Sequence, residues 1–149
     1  MKKFQFSLDH IREYKDRLLD EETGKLQRLR AQRDQIEQQI EELGRDFQAV
    51  SEEMQTSQRR GVTALELRGY SMQLENIRHQ TAELKKQLEA AQARVDQQTQ
   101  VVVAANQEVS KLDKLREHQL ENWQNSARKA EEQRIEELVT QNHIRKTAG

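Results

Sequence analysis

Apolar residues recur at alternating spacings of three and four positions in two separate runs of this chain. The first run extends from Leu26 to Met54 and the second from Leu67 to Leu112, and no proline interrupts either run. A repeat that averages about 3.5 residues keeps a narrow apolar stripe on one side of a helix and favours a left-handed supercoil with a partner helix. The pattern therefore predicts two long amphipathic helices that pair with each other.

The two stripes also predict an antiparallel register. The first stripe comprises Leu26, Leu29, Arg33, Ile36, Ile40, Leu43, Phe47, Val50 and Met54. The second comprises Leu67, Tyr70, Leu74, Ile77, Thr81, Leu84, Leu88, Ala91, Val95, Gln98, Val102, Ala105, Val109 and Leu112. A register that places Met54 opposite Tyr70 also places Arg33 opposite the small Ala91. The aliphatic stem of the arginine would then cross the stripe while its guanidinium reaches water.

A polar segment that contains a glycine separates the runs. Gly61 can take the positive φ of a sharp reversal, and Thr63 is suited to cap the second helix. We expect one elongated unit over 1–149, with helix one at about 7–57, a turn at about 58–62, helix two at about 63–142 and a frayed tail at 143–149. The fold class is all-α, a long antiparallel two-helix coiled-coil hairpin with a C-terminal helix overhang.

The two ends of the chain depart from the regular pattern. One set of apolar residues repeats with a phase displaced by about one position from the first stripe, which indicates a local stutter: Phe4, Leu8, Ile11 and Leu18. The register places Phe4 opposite roughly Leu120, so helix two would continue beyond that point without a partner inside the chain. This unpaired part carries Trp123, Ala127, Ala130, Ile135, Leu138 and Ile144. An isolated helix of this kind frays, so either another molecule covers it or it is a solvated tail.

The composition of the chain limits the kinds of fold and of binding surface that it can form. Charged residues make up 34% of the chain and apolar residues another 34%, with 4% aromatic, which suits a seam between helices and not a thick core. A net charge of −1 with both signs interspersed predicts no nucleic-acid surface. Cysteine is absent, which suits a reducing compartment. The longest apolar run, Val101 to Ala105, is far shorter than the roughly 20 residues of a membrane span, so no direct membrane insertion is expected.

No constellation of catalytic or ligand-binding residues is evident. The glycines are isolated, so no phosphate-binding loop is predicted. The four histidines lie far apart, and the pair with the most metal-like spacing is His118 and Glu121. Carboxylates on the outside of a two-helix pair have no cleft that would raise their pKa values. We expect no enzyme activity, no cofactor and no metal.

Two apolar residues lie off the stripes near the turn. Leu65 and Met72 are seven positions apart and therefore lie on the same outer face of helix two, close to Tyr70 and Leu74. They form either a docking patch for a partner or ordinary surface.

Two terminal motifs resemble the FliJ family of flagellar export proteins. They are FQFSLDHIREYK, from Phe4 to Lys15, and KLDKLRE, from Lys111 to Glu117, followed by Trp123. The resemblance implies a non-enzymatic coiled-coil hairpin similar to the central stalk of rotary ATPases. It also implies a location in the cytoplasm, peripherally associated with the inner face of the bacterial cell membrane.

The resemblance implies three partners as well. The end with both termini would enter the hexameric export ATPase and promote ring assembly, through Phe4, Phe6, Leu8, Ile11, Leu115 and Trp123. The surface near the turn would contact the export gate membrane protein. Tyr70 and Leu74 match an aromatic and a leucine of the family's gate patch, Ile77 is larger than the family's usual residue, and Leu65 and Met72 lie nearby. Substrate-specific export chaperones would be the third class of partner.

Two other interpretations remain open from the residues alone. A virulence injectisome stalk protein of the same architecture would have the same physical features. A generic homodimeric coiled-coil spacer would pair two chains, although the polar, glycine-containing break at Gln55 to Thr63 disfavours a continuous rod.

Overall fold

The computed structural model describes residues 3–148, which contain two helices, α1 over Asp9–Arg60 and α2 over Ala64–Ala148. The two helices pack against each other and no β-strand occurs within residues 3–148, which confirms the predicted all-α hairpin with its C-terminal overhang. Met1, Lys2 and Gly149 lie outside the described residues. The predicted unit over 1–149 and the predicted tail at 143–149 include these residues, and that part of each prediction lies outside the described residues.

The turn between the helices depends on one glycine and one threonine. Gly61 has a φ of 93°, a left-handed conformation that disfavours residues with a Cβ, and its N–H donates to the carbonyl of Gln58 at 3.3 Å. The hydroxyl oxygen of Thr63 accepts a hydrogen bond from the N–H of Glu66 at 3.2 Å. This bond satisfies a free donor of the first helical turn and confirms Thr63 as the N-cap of α2.

The helix ends differ from the predicted bounds by a few residues. Helix α1 begins at Asp9, because the N–H of Asp9 bonds to the carbonyl of Phe6 at 3.2 Å and closes a turn ahead of it. Helix α2 continues to Ala148, so residues 143–148, expected to be frayed, are helical. This segment contains no glycine or proline, and Arg145 and Lys146 interact favourably with the carbonyl end of the helix.

The helices divide into two compact units, which we describe separately. The turn unit comprises Asp20–Val103, and the terminal unit comprises Met1–Leu19 with Ala104–Gly149. In the turn unit every stripe position is buried or half-buried, and Leu26, Ala91 and Val95 are the most deeply buried, with exposures of 2–6%. The predicted stripes are therefore the contact surfaces of this unit.

Contacts between the helices of the turn unit agree with the predicted register. The guanidinium of the half-buried Arg33 donates to the side-chain oxygen of Gln92 at 3.3 Å, next to the buried Ala91. The guanidinium of Arg78 lies 5.3 Å from the centre of the Phe47 ring. In the predicted register Arg33 lies opposite Ala91, the residue before Gln92. The same register places Phe47 opposite Ile77, the residue before Arg78.

A polar contact crosses the stripe at Gln98. Its amide donates to the backbone carbonyl of Glu22 at 3.0 Å and to the Glu22 carboxylate. The hydrogen bond from Gln98 holds the pKa of Glu22 below its usual value, and the nearby Lys25 acts in the same direction. Glu22 is thus a carboxylate whose ionised form the folded state prefers.

The start of the terminal unit does not follow the predicted helical repeat. Phe4 and Leu8 precede α1, and Ile11 is 47% exposed, whereas Phe6 is only 7% exposed. Helical spacing cannot describe residues that are not in a helix, so the residue that lies out of phase, Phe6, is the buried one. In this unit Val109 of α2 is also buried.

Replacement of Gly44 by alanine should stabilise the fold. A Cβ at Gly44 would meet no atom within 4 Å, so Gly44→Ala should raise the free energy of unfolding by about 1 kcal/mol through helix propensity. Gly61→Ala is the matched control and should lower it by about 1 kcal/mol, because its φ is unfavourable for alanine. Urea denaturation followed by circular dichroism measures both. A destabilised Gly44→Ala variant would contradict the packing described.

The contact between Gln98 and Glu22 should make stability depend on pH. Because the folded state lowers the pKa of Glu22, its contribution is present above the unfolded-state pKa and is lost as pH falls through the folded-state pKa. The free-energy difference between the native chain and Glu22→Gln should therefore shrink on acidification. Urea denaturation at a series of pH values tests this, with the exposed Glu21→Gln as the charge-matched control. A difference independent of pH would contradict it.

Candidate protein-binding surfaces

The segment that precedes α1 is held on α2 by aromatic contacts. The ring centres of Phe4 and Trp123 are 6.1 Å apart and the ring planes are tilted by 57°, a separation within the range of favourable aromatic pairs. The guanidinium of Arg116 lies 5.7 Å from the centre of the same Phe4 ring. Arg116 and Trp123 are seven residues apart and therefore lie on one face of α2. We call Phe4, Phe6, Arg116 and Trp123 the N-terminal clip.

The clip corrects one expectation for Trp123. The sequence pattern placed this residue beyond the last partner within the chain, whereas the structure places it half-buried against Phe4. The physical reason is that the chain before Asp9 is not helical, so the helical register that placed Phe4 opposite Leu120 does not apply to it, and Phe4 contacts Trp123 instead.

An ion pair supports the same end of the hairpin. The guanidinium of Arg12 on α1 donates to the carboxylate of Asp113 on α2. This hydrogen bond and the charge of Asp113 raise the pKa of Arg12. Both side chains are at least one-third exposed, so the pair contributes orientation more than stability.

The six residues that the family resemblance assigns to the ATPase contact differ in accessibility. Phe6 is buried, Phe4, Leu8 and Trp123 are half-buried, and Ile11 and Leu115 are exposed by 47% and 40%. The terminal unit therefore brings Phe4 and Trp123 into contact with each other and leaves Ile11 and Leu115 as the accessible apolar side chains of this set.

The overhang is the least covered part of the terminal unit. It comprises residues 128–148, all of which are exposed. Ile135, Leu138 and Val139 lie at spacings of three and four and share one face of α2, with exposures of 54–62%. Ile144 is 58% exposed and lies nine residues from Ile135, on the opposite face. Val139 was not among the predicted apolar residues of this segment, although its spacing of four from Ile135 is the signal that identifies it.

The five residues proposed near the turn form two surfaces and not one. Tyr70, Leu74 and Ile77 are half-buried along the stripe, and the hydroxyl groups of Tyr70 and Ser57 lie 3.0 Å apart across the hairpin. Leu65 is 80% exposed and Met72 is 61% exposed. Since about 100° separates successive residues of a helix, Met72 points roughly opposite to Tyr70. Among these five residues, a partner can therefore reach the exposed edges of the three stripe residues and the exposed side chains of Leu65 and Met72.

Two further features, a metal site and a membrane-spanning segment, are absent from the part of the chain that the structure describes. Within residues 3–148, no group of three or more histidine, cysteine, aspartate or glutamate side chains is placed to hold a metal ion. Over the same range, neither helix has a segment long and apolar enough to cross a bilayer.

Loss of Phe4 should uncover the single tryptophan. In Phe4→Ala, Trp123 would gain contact with water, so its fluorescence emission should shift to the red and the free energy of unfolding should fall by about 1 kcal/mol. Tyr14→Ala, which removes an aromatic ring that is 55% exposed, is the control and should leave the emission unchanged. Unchanged emission in Phe4→Ala would show that the clip does not form in solution.

Comparison with known proteins gives one result. A family model described as flagellar FliJ protein matches residues 4–148. No curated protein and no solved structure matches the chain significantly.

Proposed function

The chain belongs to the FliJ family of flagellar proteins, and we propose that it acts as a stalk that joins the export ATPase to the export gate. Membership of this family identifies the chain as a component of flagellar type III export. The members of the FliJ family are non-catalytic. The finer proposal is that its terminal end inserts into the hexameric ATPase and promotes ring assembly. The surface near the turn then contacts the gate membrane protein, and export chaperones also bind the chain.

The observation that carries the ATPase proposal is the overhang. The helical segment 128–148 contains 21 residues, all of them exposed, and its face of Ile135, Leu138 and Val139 lies largely in water. Helices of this kind are stabilised mainly by burial of an amphipathic face. A surrounding ring of subunits would supply that burial, which supports insertion of this end.

The N-terminal clip supports the same proposal. The ring of Phe4 packs against Trp123, and Arg116 contacts Phe4, so a partner that contacts the half-buried indole would meet a side chain that is already packed within the chain. The exposed Ile11 and Leu115 belong to the same unit and add apolar surface for this contact.

The gate proposal rests on the turn unit. Tyr70, Leu74 and Ile77 are half-buried, so a partner would contact their exposed edges. Leu65 and Met72 offer a second surface on the other side of α2. We assign the gate contact to Tyr70 and Leu74 first, because they match the family's gate patch, and place Leu65 and Met72 at its periphery.

In this proposal the ATPase hydrolyses the nucleotide and this chain couples it to the gate. The chain would lie in the cytoplasm at the inner face of the cell membrane, held there by its partners. The flagellar family match favours this role over an injectisome stalk. The hairpin pairs the stripes within one chain, which disfavours a homodimeric spacer that would use them between chains.

The direct test measures the hydrolysis rate and ring formation of the purified export ATPase with and without this chain, together with the mass of the chain in solution. Stimulation of both by the chain would support the stalk role. No effect on either would overturn it.

Paired variants separate the two proposed contacts. Ile135→Gln with Leu138→Gln removes apolar surface from the overhang but retains helix-forming side chains, and should weaken ATPase stimulation about tenfold while gate binding persists. Tyr70→Ala with Leu74→Ala should weaken gate binding while ATPase stimulation persists. Circular dichroism controls for folding. Equal loss of both activities in either variant would show that the hairpin itself had been disrupted.

A further inference from the structure

Two grooves of opposite charge open between the helices of the turn unit, on either side of Leu43. Glu42, Asp46 and Glu83 line the first, which we call the acidic groove. Arg78 and Lys85 line the second, which we call the basic groove. No lysine or arginine lines the acidic groove and no aspartate or glutamate lines the basic groove.

Both grooves expose apolar surface. Leu43 and Leu84 are half-buried and form the floor of the acidic groove. Phe47 and Ile77 line the basic groove, where Gly44 leaves open space because a Cβ at this position would meet no atom within 4 Å. Each groove can therefore receive side chains from a neighbouring molecule.

The charges of the grooves are not neutralised within the described residues. Within residues 3–148, neither the three carboxylates of the acidic groove nor Lys85 nor Arg78 forms an ion pair, and the guanidinium of Arg78 lies over the ring of Phe47. The carboxylates of Glu42, Asp46 and Glu83 line one groove that no cationic side chain lines, so a cationic edge from another molecule would meet complementary charge there. The same molecule carries a cationic edge, formed by Arg78 and Lys85 of the basic groove. This edge lies at the same level of the hairpin as the acidic groove, because Leu43 lines both grooves.

We propose that these grooves form an interface between copies of this chain. The edge of α2 that carries Arg78 and Lys85 lies in the acidic groove of a second copy, with the two hairpins side by side in the same direction. Because both grooves lie at the level of Leu43, this alignment brings opposite charges together without a shift along the helices. The contact joins two different surfaces, so further copies can add to the first pair.

The association should be weak and sensitive to salt, because the charged groups lie at the surface. Sedimentation velocity of the full chain at increasing concentration, in low and in high salt, measures it. We expect the average mass to rise with concentration at low salt and to fall when salt is added. A constant monomer mass at every concentration would overturn the proposal.

Charge reversal and mixing test the interface itself. Glu42→Lys with Glu83→Lys reverses the acidic groove, and Arg78→Glu with Lys85→Glu reverses the basic groove. Each double variant alone should associate at least about tenfold more weakly, because like charges then face each other. An equal mixture of the two should regain association, since each supplies the groove that the other has lost.

The matched control is Glu52→Lys with Glu89→Lys, which changes net charge as much as the first variant at exposed sites outside both grooves. It should associate like the native chain, and circular dichroism should show that all variants are folded. Failure of the mixture to regain association, or equal weakening in the control, would overturn the proposal. Association that persists unchanged in both groove variants would do the same.

Discussion

The pairing of one apolar stripe on α1 with one on α2 is the constraint on which the rest of this structure depends. Two helices can bury only the strip along which they touch, and among the described residues the buried side chains are limited to Phe6, Leu26, Ala91, Val95 and Val109. With charged residues making up 34% of the chain, nearly everything else faces water. Within residues 3–148, the surfaces that a partner can contact are therefore those on the outside of the two helices and at the ends of the hairpin.

Apolar stripes alone leave alternative alignments close in energy, because a shift by one heptad brings similar residues together. Polar contacts across the helices discriminate between these alignments, since a shifted pair would leave their groups without partners. Arg33 with Gln92 and Gln98 with Glu22 act in this way in the turn unit. In the terminal unit, Arg12 with Asp113 has the same effect. Specificity of alignment thus comes from a few residues that contribute little apolar burial.

Membership of the FliJ family gives these surfaces a biological setting in flagellar type III export. The overhang and the N-terminal clip belong to the terminal unit, and the edge of Tyr70 and Leu74 belongs to the turn unit. The two grooves beside Leu43 provide a further surface with its own charge pattern. The two helices thus present several separate surfaces on one simple scaffold.

The sequence by itself determined the helices, their contact stripes, the reversal at Gly61, the cap at Thr63 and the family. These features depend on local periodicity and on the conformational preferences of single residues, which are readable without a structure. Only the tertiary structure decided that Phe6 is buried and that Phe4 contacts Trp123. The segment before Asp9 is not helical, so no repeat indicates which of its side chains face α2. The charge division around Leu43 also required both helices in place, because each groove combines residues that are about 40 positions apart in sequence and meet only through the pairing.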